Sequence, residues 1–289
     1  MNSTNLMQLV NEALAIEAQE AKDAGALGYM ARVMVQATMP HKKVKEYFFE
    51  RRNGTFSLML IGNPHVGLPY GTYPRLLLAW LTTEAVRTKE HVIILGPTLS
   101  GFMSQLGLIP TGGRWGTIHS LRDRMKRLFT CSISCAYGDE NWDAGGGLLI
   151  AREYELWWEP KRPEQSSLWN STVTLSRDFF AEVIERPVPI DMRALQALKR
   201  SPLALDIYCW LTYRMSYLKK QTEVPWEALQ LQFGAGYAVD PQGTRDFKKK
   251  FLKHLRTVQL VYPGAKVTEG SYGLLLQPSK PHIARLPLA

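Results

Sequence analysis

RDFKKKFLKHLR, residues 245–256, holds six lysines and arginines and one histidine, threaded with Phe247, Phe251, Leu252 and Leu255. Wound as a helix at about 100° per residue, Phe247, Phe251, Leu255 and Val258 fall on one arc, with Leu252 at its edge. Arg245, Lys249, Lys253 and Arg256 fall within a narrow arc on the other side. One face anchors and the other presents charge. A merely solvated face would mix signs, and this one carries Asp246 as its sole acid. Lys248 lies inside the apolar arc, so it must snorkel or sit at the rim. VDPQGT just upstream supplies an Asp or Thr cap and a proline suited to a first helical turn.

The charge of the whole chain is weighted toward this end. Its 289 residues carry 35 Lys+Arg against 26 Asp+Glu, a formal net charge of +9. From Pro241 onward, nine basic residues (Arg245, Lys248, Lys249, Lys250, Lys253, Arg256, Lys266, Lys280 and Arg285) face only Asp246 and Glu269. This implies a polyanionic partner that docks at the C-terminal end. With 45% hydrophobic residues, 22 glycines and 17 prolines, the composition is that of a folded chain. No stretch approaches the ~20 apolar residues that span a bilayer, and the N-terminus lacks the order of a signal peptide. A cytoplasmic protein without a membrane partner is expected. Cys131, Cys135 and Cys209 have no disulfide-framework spacing and read as buried free thiols.

What flanks the basic helix narrows the partner. SPLALDIYCWLTYRMSYLKK (201–220) has a serine cap, a proline in the first turn and an apolar run suited to a buried helix. TEVPWEALQLQFG (222–234) reads as a short extended piece and a second helix stopped by Gly234. After the basic helix, VQLVYPG and SYGLLLQ read as two β-rich runs of a hairpin separated by AKVTEG. Helix, short strand, helix, turn, helix, hairpin is the order of a winged helix-turn-helix, whose third helix enters the major groove of DNA.

The same order occurs earlier. YPRLLLAWLTTEAVRT (73–88) reads as a helix, HVIIL as a strand, TLSGFMSQLGL as a helix, IPTGGRWG as a turn and TIHSLRDRMKRLF as a third helix. TCSISCAY and GLLIAREYELWW then read as a hairpin. The fold class expected is α+β with two tandem winged-helix units: 28–165 and 166–289, after an unassigned extension over 1–27. In the earlier third helix, Ile118, Leu121, Met125, Leu128 and Phe129 share an arc. Arg122, Arg124, Lys126 and Arg127 spread around the rest with Asp123 among them. Its wing loop GDENWDAGGG carries Asp139, Glu140 and Asp143, which repel phosphates. Principal DNA contacts are therefore assigned to Arg245, Lys248, Lys249, Lys250, Lys253, Arg256 and Lys266. Secondary contacts fall to Arg114, Arg122, Arg124, Lys126 and Arg127, in a unit with a supporting or dimerising role.

Several long blocks carry a family resemblance: GLPYGTYPRLLLAWLTTEAVRT, LGPTLSGFMSQLGL, TGGRWGTIHSLRDRMKRLF, SPLALDIYCWLTYR, and LQFG ahead of RDFKKKFLKHLRTVQLVYPGAK. In this order, from about Gly28 to the C-terminus, they resemble the plasmid-encoded replication initiators (Rep) of broad-host-range bacterial plasmids. Where that family has LGxSLSxFM, this chain has Pro97-Thr98-Leu99 after Gly96. The resemblance implies binding to direct repeats (iterons) in a plasmid origin, opening of an adjacent AT-rich tract, and recruitment of the host initiator and replicative helicase. It also implies a dimer that represses its own promoter and a monomer that starts replication. A winged-helix transcriptional repressor is the alternative, and a DNA-nicking relaxase-type initiator a more distant one.

No enzymatic chemistry is expected, and no cofactor or metal. The histidines at 41, 65, 91, 119, 254 and 282 lie more than twenty residues apart, which excludes HxH, HExxH and the histidine cluster of a relaxase. HLR at 254–256 is one residue short of an HxxR box, and His254 reads as a groove or rim residue. TGGRWG and GLPYG do not continue as GK[ST], so they read as turns. Asp191 and Asp206 read as caps or core ion pairs. Trp80 and Trp210 read as core, and one of Trp157 and Trp158 as exposed, from strand alternation. Leu6, Leu9, Val10, Ala13 and Leu14 suggest an amphipathic N-terminal helix that packs on the body or on a second copy. TFSLMLIG (55–62) reads as a strand joining the first unit's sheet.

Overall fold

The computed structural model describes residues 3–138, 141–159, 161–166, 170–234 and 236–284. The chain begins with α1 (Ser3–Ala18), β1 (Leu27–Ala31), α2 (Arg32–Gln36), β2 (Phe48–Asn53), β3 (Phe56–Ile61), α3 (Thr72–Thr88) and β4 (Val92–Ile94). Next come α4 (Leu99–Gln105), α5 (Thr117–Phe129), β5 (Ser132–Gly138), β6 (Asp143–Leu149), β7 (Ala151–Glu155), β8 (Thr172–Leu175) and α6 (Arg177–Glu185). The last third holds β9 (Pro187–Asp191), α7 (Met192–Leu198), α8 (Pro202–Met215), β10 (Thr222–Pro225), α9 (Trp226–Phe233), α10 (Pro241–Val261), β11 (Val267–Glu269) and β12 (Gly273–Leu276). Among the described residues, no helix is long and apolar enough to cross a membrane. Helix starts follow the polar caps: the side chains of Thr98, Ser176, Asp191, Ser201 and Asp240 each accept a backbone N–H in the first turn of their helix. Thr98 therefore caps α4.

Contacts divide the chain into a C-terminal unit, Met1–Thr38 with Glu50–Ser57 and Val188–Ala289, and a central unit, Met39–Phe49 with Leu58–Pro187. This differs from a cut at 165/166. β8 pairs with β4 and β7 and so holds the following segment in the central unit. The N-terminal segment is no free extension: α1 packs against α7 and α10. Its buried residues are Leu9 and Ile16, while Leu6, Val10 and Leu14 of the expected apolar face are exposed.

The C-terminal unit is organised around Phe251. This fully buried ring lies 5.6 Å from Phe247, 5.6 Å from Phe233 and 6.0 Å from Trp226, so α10 is fastened to α9 by aromatic contacts. Behind them, Trp210 of α8 meets Phe233 at 5.6 Å. The turn between α9 and α10 is held by Gln230, whose Nε2 donates to Ala238 O (2.8 Å) and whose Oε1 accepts from Thr244 Oγ1 (2.8 Å). Glycine is required twice here. A Cβ on Gly234 would sit 2.6 Å from the Phe247 ring, and one on Gly243 would overlap the Ala238 carbonyl. β10, β12 and β11 form a three-stranded sheet in that order, with Val224 opposite Leu274 and Val267 opposite Leu276.

VQLV, read as a strand, completes α10, because Val258 and Val261 extend the buried stripe of Phe251 and Leu255 at helical spacing. The hairpin is β11 with β12, and β11 lies inside AKVTEG.

In the central unit, α3 packs against α5 and α6. Trp80 of α3 meets Phe102 of α4 edge-on at 5.0 Å, and Phe102 stacks on Trp158 at 5.0 Å. Arg75, buried within this unit, donates to Gly71 O (2.6 Å) and Met39 O (2.6 Å). Within this unit β3 lies beside β5 and β5 beside β6, and the three-stranded sheet runs β4-β8-β7. β3 joins β5 as read from TFSLMLIG, but GLLIAREYELWW is not one strand. It divides at Ile150: β6 pairs with β5, and β7 pairs with β8 in the other sheet. Part of the loop GDENWDAGGG is itself strand, with Asp143 opposite Gly138; Asp139 and Glu140 lie outside the described residues. Trp158 is buried and Trp157 exposed, both past the end of β7. No disulfide joins Cys131, Cys135 and Cys209, and burial pushes the thiols of Cys131 and Cys135 up to about 12 and about 11.

Deep in the C-terminal unit, the Asp191 N–H donates to Tyr208 Oη (2.9 Å), and Tyr208 Oη lies 2.7 Å from His282 Nδ1. Asp191 caps α7 and pairs with Arg193 (2.7 Å), whose Nη2 donates to Gln19 O past the end of α1 (2.8 Å). Burial lowers the His282 pKa, with Asp191 opposing and Arg193 reinforcing the shift. A histidine kept neutral by folding contributes stability that is present above its unfolded pKa of about 6.5 and is lost as pH falls. The melting temperature is therefore expected to drop between about pH 7 and pH 5, and His282→Gln to flatten that slope. An unchanged slope in the variant would assign the acid sensitivity elsewhere.

Candidate nucleic-acid interface

α10 is phased as the phenylalanine spacing demands. Phe247, Phe251, Leu255, Val258 and Val261 are buried, while Arg245, Lys249, Lys250, Lys253 and Arg256 are exposed. The burial of two rings fixes the rotation of the helix, and the rotation turns the cations outward. Asp240 accepts from Gly243 N (2.6 Å), so the helix start is defined. Arg245 lies over the first turn, donating to Gln242 Oε1 at 2.8 Å through Nη2.

Two residues of this stretch have other work. Lys248 Nζ lies 2.7 Å from Glu269 Oε1 of β11 and 5.2 Å from the centre of the Trp226 ring, so it ties the hairpin to α9 and α10. His254, read as a groove or rim residue, instead places Nδ1 3.1 Å from Ser201 Oγ, the cap of α8. Lys266 is exposed where the chain enters the hairpin. At the hairpin tip, Glu223 Oε1 accepts the N–H groups of Tyr272 (2.7 Å) and Gly273 (2.8 Å), and the Tyr272 side chain is 81% exposed. Arg285 lies outside the described residues.

α5 in the central unit is less uniform. Arg124 stacks 3.7 Å from the centre of the Tyr70 ring and pairs with Asp123; Arg127 pairs with Asp123 at 2.8 Å and lies 5.6 Å from the same ring. These two guanidinium groups fasten α5 to the turn at Tyr70. Arg122 is half-buried, and Lys126, His119 and Arg114 are exposed. Both units thus place a cationic helix face beside a β-hairpin. Among the described residues, no group of three or more His, Cys, Asp or Glu is placed to hold a metal.

Residues 68–228, from α3 into α9, match the family model described as "Plasmid encoded RepA protein". This is more than half of the chain. The chain belongs to the plasmid-encoded RepA family. The match takes in Arg114, Arg122, Arg124, Lys126 and Arg127, while α10 follows its end. Two crystal structures of domains 2 and 3 of RctB share the fold of this RepA-family chain. One aligns with a TM-score of 0.57 at 13% identity, covering 87% of this chain and 98% of the other. The second, of RctB residues 155–483, aligns with a TM-score of 0.52 at 15% identity, covering 84% and 94%. No curated protein matches the sequence.

Proposed function

We propose that this RepA-family chain is a plasmid replication initiator. Two tandem winged-helix units bind iterons at a plasmid origin, promote opening of the adjacent duplex, and recruit the host initiator and replicative helicase, without cutting DNA and without a cofactor. The exposed cationic face of α10, opposite its buried phenylalanines, is the observation that carries this reading. α10 is the third helix of the order α8, β10, α9, α10, β11, β12, and β11–β12 is its wing. The order α3, β4, α4, α5, β5, β6 repeats it in the central unit, which supports the duplex or a second copy of the chain. The work is done in the bacterial cytoplasm, apart from membranes.

The test is equilibrium binding of the full chain to origin duplex over a range of salt. Neutralising on the order of five phosphates gives a slope of log affinity against log salt of about −4 to −5. Binding that ignores salt would defeat the electrostatic account. Footprints on direct repeats beside an AT-rich tract support an initiator. A footprint confined to an inverted operator favours the repressor reading.

A further inference from the structure

Trp115 is 88% exposed, an unusual place for a side chain whose indole is ordinarily buried or held at an interface. It stands on the turn between α4 and α5, immediately before Gly116, the cap residue of α5. That turn is tightly knit. Thr111 N–H donates to Thr117 Oγ1 (2.8 Å), Thr117 N–H to Thr111 Oγ1 (2.9 Å), Thr117 Oγ1 to Ile109 O (2.6 Å) and Gly116 N–H to Gly113 O (3.0 Å). Gly113 takes φ +81°, closing the loop in a conformation that other residues rarely adopt. The ring is therefore presented by a rigid mount.

An apolar residue just ahead of a helix cap commonly folds back onto the fourth residue of the helix. Here that position is Ser120, which offers no apolar surface, and the indole points away. Val239, immediately before the cap Asp240 of α10, repeats the arrangement: it is 92% exposed, and the fourth helical residue is Thr244. Both units thus place an unburied apolar side chain at the leading end of their cationic third helix.

The surroundings favour nucleic acid over protein. No acid occurs between Leu106 and Arg122. The Arg114 guanidinium lies 5.3 Å from the centre of the indole. His119, Arg122 and Lys126 continue along α5 at i, i+3 and i+7, on one side of the helix. Phosphates following that line would bring bases to the ring.

We propose that Trp115 is a base-stacking residue, its indole receiving an unpaired base of DNA held by Arg114 and the outer cations of α5. The proposal rests on the DNA-binding reading above and adds a single-strand function to the central unit. Stacking suits a planar ring on a rigid loop, because every base offers a π-face and no hydrogen-bond pairing is needed.

The test compares the full-length wild-type chain with Trp115→Ala and Trp115→Phe. Fluorescence anisotropy is measured on fluorescein-labelled oligothymidylate and on an origin duplex at one salt concentration, with thermal melts as the folding control. Trp115→Ala is expected to bind the single strand about 10- to 100-fold more weakly and the duplex within about twofold of wild type. Trp115→Phe retains most of the single-strand affinity. Unchanged single-strand binding by Trp115→Ala overturns the proposal and points to a protein partner for the ring. Equal losses on both DNAs also overturn it, making Trp115 a groove contact. If wild type binds duplex but no single strand, this proposal alone fails; if it binds neither, the initiator reading fails with it.

Discussion

Replacing Phe251 by alanine is expected to lower folding stability by about 3–5 kcal/mol, the range for deleting a fully buried ring. The ring is wholly buried, and three other aromatic residues lose a neighbour when it goes. A loss of that size rivals the whole stability of a modest domain, so DNA binding falls with it, but only as the folded fraction falls. Denaturant titration of the full chain, with binding measured on the same samples, checks the link. A variant that stays fully folded yet has lost DNA binding would mean that the ring faces the duplex and that the helix is rotated from its place here.

The double replacement Lys249→Ala, Lys253→Ala should fail in the opposite way. Both side chains are exposed, so each change is expected to shift stability by no more than about 0.5 kcal/mol. Removing two phosphate contacts should make the salt slope shallower by about 2 and weaken all sequences alike. Arg245 and Arg256 are the candidates for base contact, since a guanidinium pairs bidentately with guanine. Substituting one of them is expected to relax sequence preference at one position by about 1–3 kcal/mol. Anisotropy on matched and scrambled duplexes separates the two kinds of contact. A double lysine variant with wild-type affinity and slope would move the interface off this face.

Local periodicity made α10 legible: rings at 247 and 251 and cations at 245, 249, 253 and 256 admit one helical phase. The caps were equally plain, because Ser201-Pro202 and Asp240-Pro241 combine an acceptor with a residue that starts helices. Val258 and Val261 were harder, since β-branched residues near a helix end suit either a strand or another turn. Ile150 hid a change of sheet within one apolar run. The roles of Arg124 and Arg127 depend on Tyr70, far away in the sequence, so a helical wheel shows charge without showing that the charge is already engaged. The docking of α1 is also nonlocal, and Arg193 takes part in it through backbone carbonyls that leave no side-chain signature. Trp115 was covered by the glycines around it, which mark a turn but say nothing about where its ring points.

The C-terminal unit is assembled from three separate stretches of chain, and this sets a timetable for synthesis. α1 is made well before the rest of the unit, and α10, one of its two partner helices, begins about 220 residues later. At roughly 5–20 residues per second, about 10–45 s pass before the two helices can meet. The central unit ends at Pro187, so all of its residues are made before α8 and α9. A chain cut short before α10 carries all the residues of the central unit, while α1 keeps only α7 of its two partner helices. Such fragments lack the cationic face of α10 and leave α1 half-docked, which makes them substrates for chaperones and proteases.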